Sequence, residues 1–179
     1  MTGEPFATVR PARPADALDC AHVHVRAWQE AYVGLVPDAF LQALSVRART
    51  DQWEDWLRDE GRAAFVAERD DGEIVGFCLA GPPLHGSAPG FGEIQALYLL
   101  QKAYGQGLAE QLMGLGARDL RARGYTGVTL RVMKANARAR AFYDRLGGAI
   151  AGESLHETQG LVIEDLEYRW PDIEALTGL

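Results

Sequence analysis

Gly105, Gly107 and Ala109, spaced two apart at the end of residues 97–109, are the residues whose types and spacing point most directly to chemistry. An apolar segment that reads as a strand enters a tight glycine turn there and leaves as an amphipathic helix. The two glycines let the backbone turn with its N–H groups pointing inward, and Ala109 is small enough for a bulky group to lie close. The helix adds its unpaired first-turn donors and the positive end of its dipole. Such a turn receives a phosphate or pyrophosphate. It is not a P-loop, because no Gly-Lys-Ser/Thr tripeptide occurs. It is one residue shorter than the dinucleotide turn Gly-x-Gly-x-x-Gly, and its strand does not open a βαβ domain.

The elements that must position this turn follow from periodicity. Residues 6–10 read as a short strand. Asp16 is a plausible N-cap, followed by the helical stripe Leu18, Ala21, Val25, Trp28 and Tyr32, which stops at Gly34. Residues 38–44 and 47–58 make two further helical pieces. Residues 63–69 and 73–81 form a hairpin turned at Asp70-Asp71-Gly72. A Pro/Gly-rich loop over 81–92 leads to a central strand at 93–100. The helix over 107–123 carries Leu108, Leu112 and Leu115 on one face. A strand over 128–132 precedes a polar step at Asn136 and a short helix ended by Gly147 and Gly148. Strands near 149–153 and 161–170 complete the chain. In the last, Val162, Leu166, Tyr168 and Trp170 fall on one side, with Ile163, Asp165, Glu167 and Arg169 opposite. The order predicts an α/β (α+β) fold with a mixed, mostly antiparallel central sheet flanked by helices, not a doubly wound parallel sheet.

Composition narrows the function classes. The 179 residues, 47% hydrophobic, suit one domain over 1–179 with a substantial core and no linker or repeat. No apolar run approaches the length of a membrane span, and residues 1–9 lack the basic head and apolar core of an export signal. A net charge of -7 argues against a nucleic-acid or anionic-membrane surface and leaves room for a cationic substrate. Cys20 and Cys78 show no metal spacing and read as reduced thiols of a cytoplasmic core. His22 and His24 fall on opposite faces of a helix and cannot share one metal, so no metal is expected.

Taken together, the two glycine-bounded segments resemble the GNAT superfamily, the acyl-CoA-dependent N-acyltransferases. Its first motif ends in Arg/Gln-x-x-Gly-x-Gly/Ala, here Tyr104-Gly105-Gln106-Gly107-Leu108-Ala109, with a tyrosine at the basic or amide position. Its second motif, Asn-x-x-Ala-x-x-Phe-Tyr-x-x-x-Gly, is similar to Asn136, Ala139, Phe142, Tyr143 and Gly147. The stretch from Val9 to Asp16 and the Trp28, Tyr32, Leu35-Val36-Pro37 block also resemble members of the family. The resemblance covers nearly the whole chain and implies a GNAT-like fold using acetyl-CoA as cosubstrate.

By that resemblance, Tyr104, Gly105, Gln106, Gly107, Leu108 and Ala109 hold the pyrophosphate. The backbone of Leu97, Tyr98 and Leu99 pairs with pantetheine and offers an N–H to the thioester oxygen, where charge develops. Asn136 bonds the pantetheine amides; its own position also suits an N-cap. Tyr143 sits where the family places its general acid, and a phenol is a suitable weak acid for a leaving thiolate. An alkylammonium with pKa near ~10 is about one part in 10³ neutral at pH 7, so a base is useful. Glu93 is the candidate, since the family often places a carboxylate there. At the position where some members carry a glutamate instead, this chain has Arg131, which cannot be a base at neutral pH. Lys102, Lys134, Arg138 and Arg140 cluster around the motifs as candidate phosphate partners.

For the acceptor, the resemblance singles out Trp28, Tyr32, His85 and His156. The partner is a small-molecule or peptide amine, not nucleic acid or membrane, and a homodimer stays open. Two alternatives remain on sequence: a catalytically silent acyl-CoA-binding or sensing module of the same fold, and a phosphate-loop protein for another nucleotide.

Overall fold

Seven strands join in one sheet, and only its last two depart from chain order. The structure, a computed structural model, describes residues 7–179. The strands are β1 (Ala7–Pro11), β2 (Ala63–Arg69), β3 (Ile74–Gly81), β4 (Phe91–Leu99), β5 (Gly127–Met133), β6 (Ala149–Thr158) and β7 (Leu161–Trp170), arranged β1-β2-β3-β4-β5-β7-β6. Every neighbouring pair is antiparallel except β4 with β5. Among the described residues, α1 (Ala17–Ala31), α2 (Asp38–Gln42), α3 (Val46–Arg58), α4 (Leu108–Ala122) and α5 (Ala137–Arg145) give the mixed architecture that the element order predicts, and a short α6 (Glu174–Thr177) follows the last strand where the sequence pattern predicts no element.

Both faces of the sheet centre are covered. β3 is buried at every position, which explains its unbroken run Ile-Val-Gly-Phe-Cys-Leu-Ala-Gly. On one face, His24 of α1 packs against Phe77 and Tyr98. On the other lies α4, with Leu112, Met113, Ala117 and Leu120 fully buried. Gly116 sets how close α4 comes: a Cβ there would lie 2.7 Å from Ile94 Cδ1 and 3.0 Å from Cys78 Sγ. A side chain there would force Ile94 and Cys78 to give way or the helix to move off β3 and β4. A second, smaller core joins α1 and α2 to β5 and β7 through Tyr32, Val36, Leu41, Met133 and Ile163.

Several local expectations are corrected. Asp16 does not cap α1 with its side chain. Its carboxylate turns back to accept from the Arg13 N–H at 2.6 Å and from both ends of the Arg10 guanidinium at 2.7 and 3.1 Å. Two bonds from the Arg10 cation plus one from the Arg13 N–H outcompete a single bond from a neutral helix N–H. Leu18, counted in the apolar stripe, is 52% exposed, because α1 buries a face centred on Cys20, Ala21, Val23 and Ala27 instead. Val162 is exposed although Leu166, Tyr168 and Trp170 of its side are buried, since it lies at the hairpin end of β7 beyond the packed helices. β4 begins two residues before Glu93, and β6 runs well beyond residue 153 to meet β7 through Gln159 and Gly160, whose φ angles are 49° and 77°. Those angles give the two-residue hairpin turn that matches strand twist. The first strand starts at Ala7; Phe6, and residues 1–6 of the segment read for a leader, lie outside the described residues. Cys20 and Cys78 are buried free thiols. Among the described residues no helix is long and apolar enough to cross a membrane.

Candidate active site

The cleft originates in how briefly β4 and β5 pair. Phe91, Gly92 and Glu93 face Gly127, Val128 and Thr129, and the ladder stops there. Beyond it, β5 continues to pair with β7 through Met133. On the other side of β4, Leu79 faces Ala96 but Ala80 faces Ile94, so Gln95 is an extra residue in the ladder. A bulge of this kind bends its strand and raises the local twist. The polar backbone edge of β4 from Ile94 onward therefore borders open space. The opening is a cleft of about 590 Å³, lined by both strands, α1, α5 and the first residues of α4 and β7.

One end is the glycine turn. Gly105 and Gly107 hold φ of 76° and 74°, and Gly107 is the N-cap of α4 without any side-chain cap. Only glycine enters that region without strain, which is why the sequence has it twice here. The N–H groups of Gly105, Gln106 and Gly107 have no hydrogen-bond acceptor among the described residues. Gly105, Gly107, Leu108 and Ala109 line the cleft, as do Tyr104 and Asn136. Gln106 does not: its side chain is exposed and donates to the Lys102 carbonyl at 3.3 Å. Of the four cations expected near phosphate, only Arg138 lines the cleft, its guanidinium 3.2 Å from the Tyr104 ring centroid. Lys102 is held by Glu73, and Lys134 by Glu153 and Glu164 at 3.0 and 2.7 Å. Arg140 donates to the Lys134 carbonyl. Local carboxylates and carbonyls claim these side chains before a ligand can. Arg145, not singled out in the sequence, also lines the cleft.

Tyr143 lies in the middle, on α5. It is 7% exposed, with its ring between Phe142, Tyr168 and Trp170. Its hydroxyl has no hydrogen bond among the described residues, and burial pushes its pKa well above that of a free phenol. The group stays protonated at any physiological pH. Asn136 caps α5, its Oδ1 accepting from the Ala139 N–H at 3.1 Å, and its side chain also interacts with the Tyr32 hydroxyl. Leu97, Tyr98 and Leu99 line the β4 wall. The Tyr98 and Tyr32 hydroxyls share a hydrogen bond of 3.2 Å, and burial pushes Tyr98 up to about 12. Trp28 and Tyr32 meet edge to face with ring centroids 4.6 Å apart and line the cleft, while Tyr32 also belongs to the second core.

The far end is polar. Glu93 is 5% exposed and accepts the Leu84 N–H at 2.6 Å. Burial raises its pKa, and the Leu84 bond opposes that only in part. Asp165, also raised by burial, holds His156 Nδ1 at 2.9 Å. His85 and His156 both line this end, together with Arg131. Asp165 and Arg131 were not read as site residues. The alternation that sets Ile163, Asp165 and Glu167 opposite Leu166 was a usable signal, because a buried acidic face must look onto a cavity or a partner. The arrangement offers anion-receiving amides at one end, a neutral phenol midway and a desolvated carboxylate at the other.

Comparison with known proteins agrees with this geometry. Residues 25–148 match the model of the acetyltransferase (GNAT) family. The uncharacterized N-acetyltransferase YuaI of Bacillus subtilis (strain 168) is 30% identical over 173 residues, covering 96% of this chain and 97% of the relative. A mycothiol acetyltransferase of Parafrankia sp. (strain EAN1pec) is 34% identical over 173 residues and 80% of this chain, which spans only 52% of that relative's length. The structure of yncA from Salmonella typhimurium with its cofactor acetyl-CoA superposes with a TM-score of 0.69 at 16% identity, covering 92% of each chain. At that identity the likeness concerns the fold.

Proposed function

Because the chain belongs to the acetyltransferase (GNAT) family, we propose that it moves an acetyl group from acetyl-CoA to a primary amine by direct attack on the thioester. The observation that carries this reading is the parting of β4 and β5 after Glu93, with the Gly105–Gly107 turn at one end of the gap and Glu93 at the other. The turn suits a pyrophosphate, and the unpaired edge of β4 suits an extended chain of amides such as pantetheine. That yncA is described with acetyl-CoA supports the same cosubstrate here.

In this reading, residues 1–179 act as one domain. Free N–H groups of Gly105, Gln106 and Gly107, with the first turn of α4, meet the phosphates, and Arg138 adds a cation beside Tyr104. Gln106 contributes through its backbone alone. Asn136 meets a pantetheine amide, and the β4 backbone at Leu97–Leu99 supplies a donor where negative charge gathers on the thioester oxygen. Glu93 takes the proton that the attacking amine must lose; its raised pKa brings it toward the working pH of a general base. Tyr143 donates its proton toward the departing sulfur. Trp28, Tyr32, His85 and His156 border the acceptor. Cys20 and Cys78, both buried free thiols, agree with a reducing compartment, so a cytoplasmic location belongs to the proposal.

The test is a panel of amines with acetyl-CoA, monitored by thiol release. Turnover with at least one amine is expected. Tight CoA binding with no turnover across the panel overturns the enzyme reading in favour of a sensing module.

A further inference from the structure

Arg131 enters the cleft with most of its hydrogen-bonding capacity unused. A guanidinium carries five N–H donors in a planar fork. The one bond formed here runs from Arg131 Nη1 to Ser154 Oγ. The carboxylates around it are otherwise engaged: Asp165 with His156, Glu167 with Arg169 and Thr129, Glu93 with the Leu84 N–H. Among the described residues none forms an ion pair with Arg131. Glu93, Asp165 and Glu167 lie within electrostatic reach and balance its charge, but the N–H donors left over from Ser154 have no acceptor among the described residues and are free to meet a ligand.

The position of the anion follows from the register. Glu93 faces Thr129, and Thr129 and Arg131 alternate along β5, so Glu93 and Arg131 share one face of the sheet. With strands ~4.8 Å apart and a rise of ~3.3 Å per residue, their Cα atoms lie about 8 Å apart. Both side chains line the same cleft. A plain amine would meet Glu93 and leave the Arg131 fork unused. A molecule carrying both an amine and a carboxylate satisfies the two at once, and the Arg fork matches a carboxylate edge-on.

We propose that Arg131 is the anchor for a free carboxylate on the acceptor, so that the substrate class is small amino acids and not plain amines or internal peptide segments. This rests on the acetyl-transfer reading above. The test compares the standard free amino acids with their carboxamides as acceptors, in wild type, Arg131→Lys and Arg131→Gln. Amidation makes the amine easier to deprotonate, so a preference for the acid runs against intrinsic reactivity. The expected result is an acid-over-amide ratio in kcat/KM of about tenfold or more, carried by KM, that falls toward one in Arg131→Gln and partly recovers in Arg131→Lys. Acetyl-CoA affinity, measured alongside, reports an intact fold. Calorimetric titration of the same amino acids into CoA-loaded protein gives a readout without turnover, with binding expected in wild type and lost in Arg131→Gln. Arg131-dependent binding with no acetyl transfer would sustain the anchor and sink the enzyme reading. Amides serving as well as acids, a ratio that survives Arg131→Gln, or no Arg131-dependent binding across the panel would overturn the anchor whatever becomes of acetyl transfer.

Discussion

Glu93 and Thr129 form the last pair that holds β4 to β5, so the buried carboxylate stands at the point where the sheet divides. The residue that ends the ladder is thereby the first residue of the cleft. Its Oε2 is tied to the Leu84 N–H at 2.6 Å, which brings the β3–β4 loop down over the same end.

Replacing this carboxylate separates function from stability. Glu93→Gln should lower kcat/KM by about 10²-fold or more and remove the rise of rate with pH that deprotonation of Glu93 produces. Stability should move the other way. Burial raises the Glu93 pKa, so the stabilisation from its neutral form is complete below the ordinary glutamate value and is lost as pH rises through the folded value. A permanently neutral Gln should therefore raise Tm at pH 8, with the gain vanishing near pH 4. Melting curves at both pH values check it, and a lower Tm at pH 8 would show that the charge is not penalised.

Tyr143→Phe should depress kcat by about 10²-fold with acetyl-CoA Kd changed less than about threefold. The hydroxyl has no protein partner among the described residues, so removing it costs no internal hydrogen bond and Tm should hardly move. Stopped-flow thiol release and equilibrium binding separate the two effects. Equal losses in both would make Tyr143 a packing residue.

Gly107 tests the turn itself. A side chain there meets only Gln111 Nε2 at 3.9 Å, so space is not limiting, but φ of 74° is. Gly107→Ala should cost about 1–2 kcal/mol of stability, while Gly107→Asn, which tolerates the left-handed region better, should cost less. If the turn holds phosphates, both variants should weaken acetyl-CoA binding, because the new Cβ crowds the approach to the amides. Unchanged affinity in Gly107→Asn would place the phosphates elsewhere.

At the opposite edge of the sheet, Arg10 holds the Asp16 carboxylate below the usual aspartate range. A depressed value means that the stabilisation is present above the ordinary aspartate pKa and is lost as pH falls through the folded one. Asp16→Asn should destabilise by about 1.5–3 kcal/mol at pH 7, and the gap to wild type should close in acid. Denaturation at pH 7 and pH 3 tests the sign, and activity toward any accepted amine should be little affected.

Much of the site was legible because its signals are local. A positive φ before a helix needs glycine, and the residues 105 and 107 supply it wherever the rest of the chain goes. The cap at Asn136, about two turns ahead of Tyr143, is likewise written in adjacent residues. Side-chain partners across the sheet were not legible. Lys102 and Lys134 stand beside the motifs in sequence, yet Glu73 reaches Lys102 from the β2–β3 turn, and Glu153 and Glu164 reach Lys134 from β6 and β7. Leu18 looked like core because its spacing fits one stripe, whereas α1 buries a differently centred face.

Composition and periodicity determined the order of the seven strands and the five longer helical pieces and the glycine turn, since backbone conformation and amphipathic patterning act over a few residues, but not the short α6 or the full length of β6. Where β4 leaves β5, the bulge at Gln95, and the gathering of Glu93, Arg131, His156 and Asp165 on one face were decided only by the tertiary structure. Those contacts join positions tens of residues apart, and pairing register fixes them, which no window of neighbouring residues encodes.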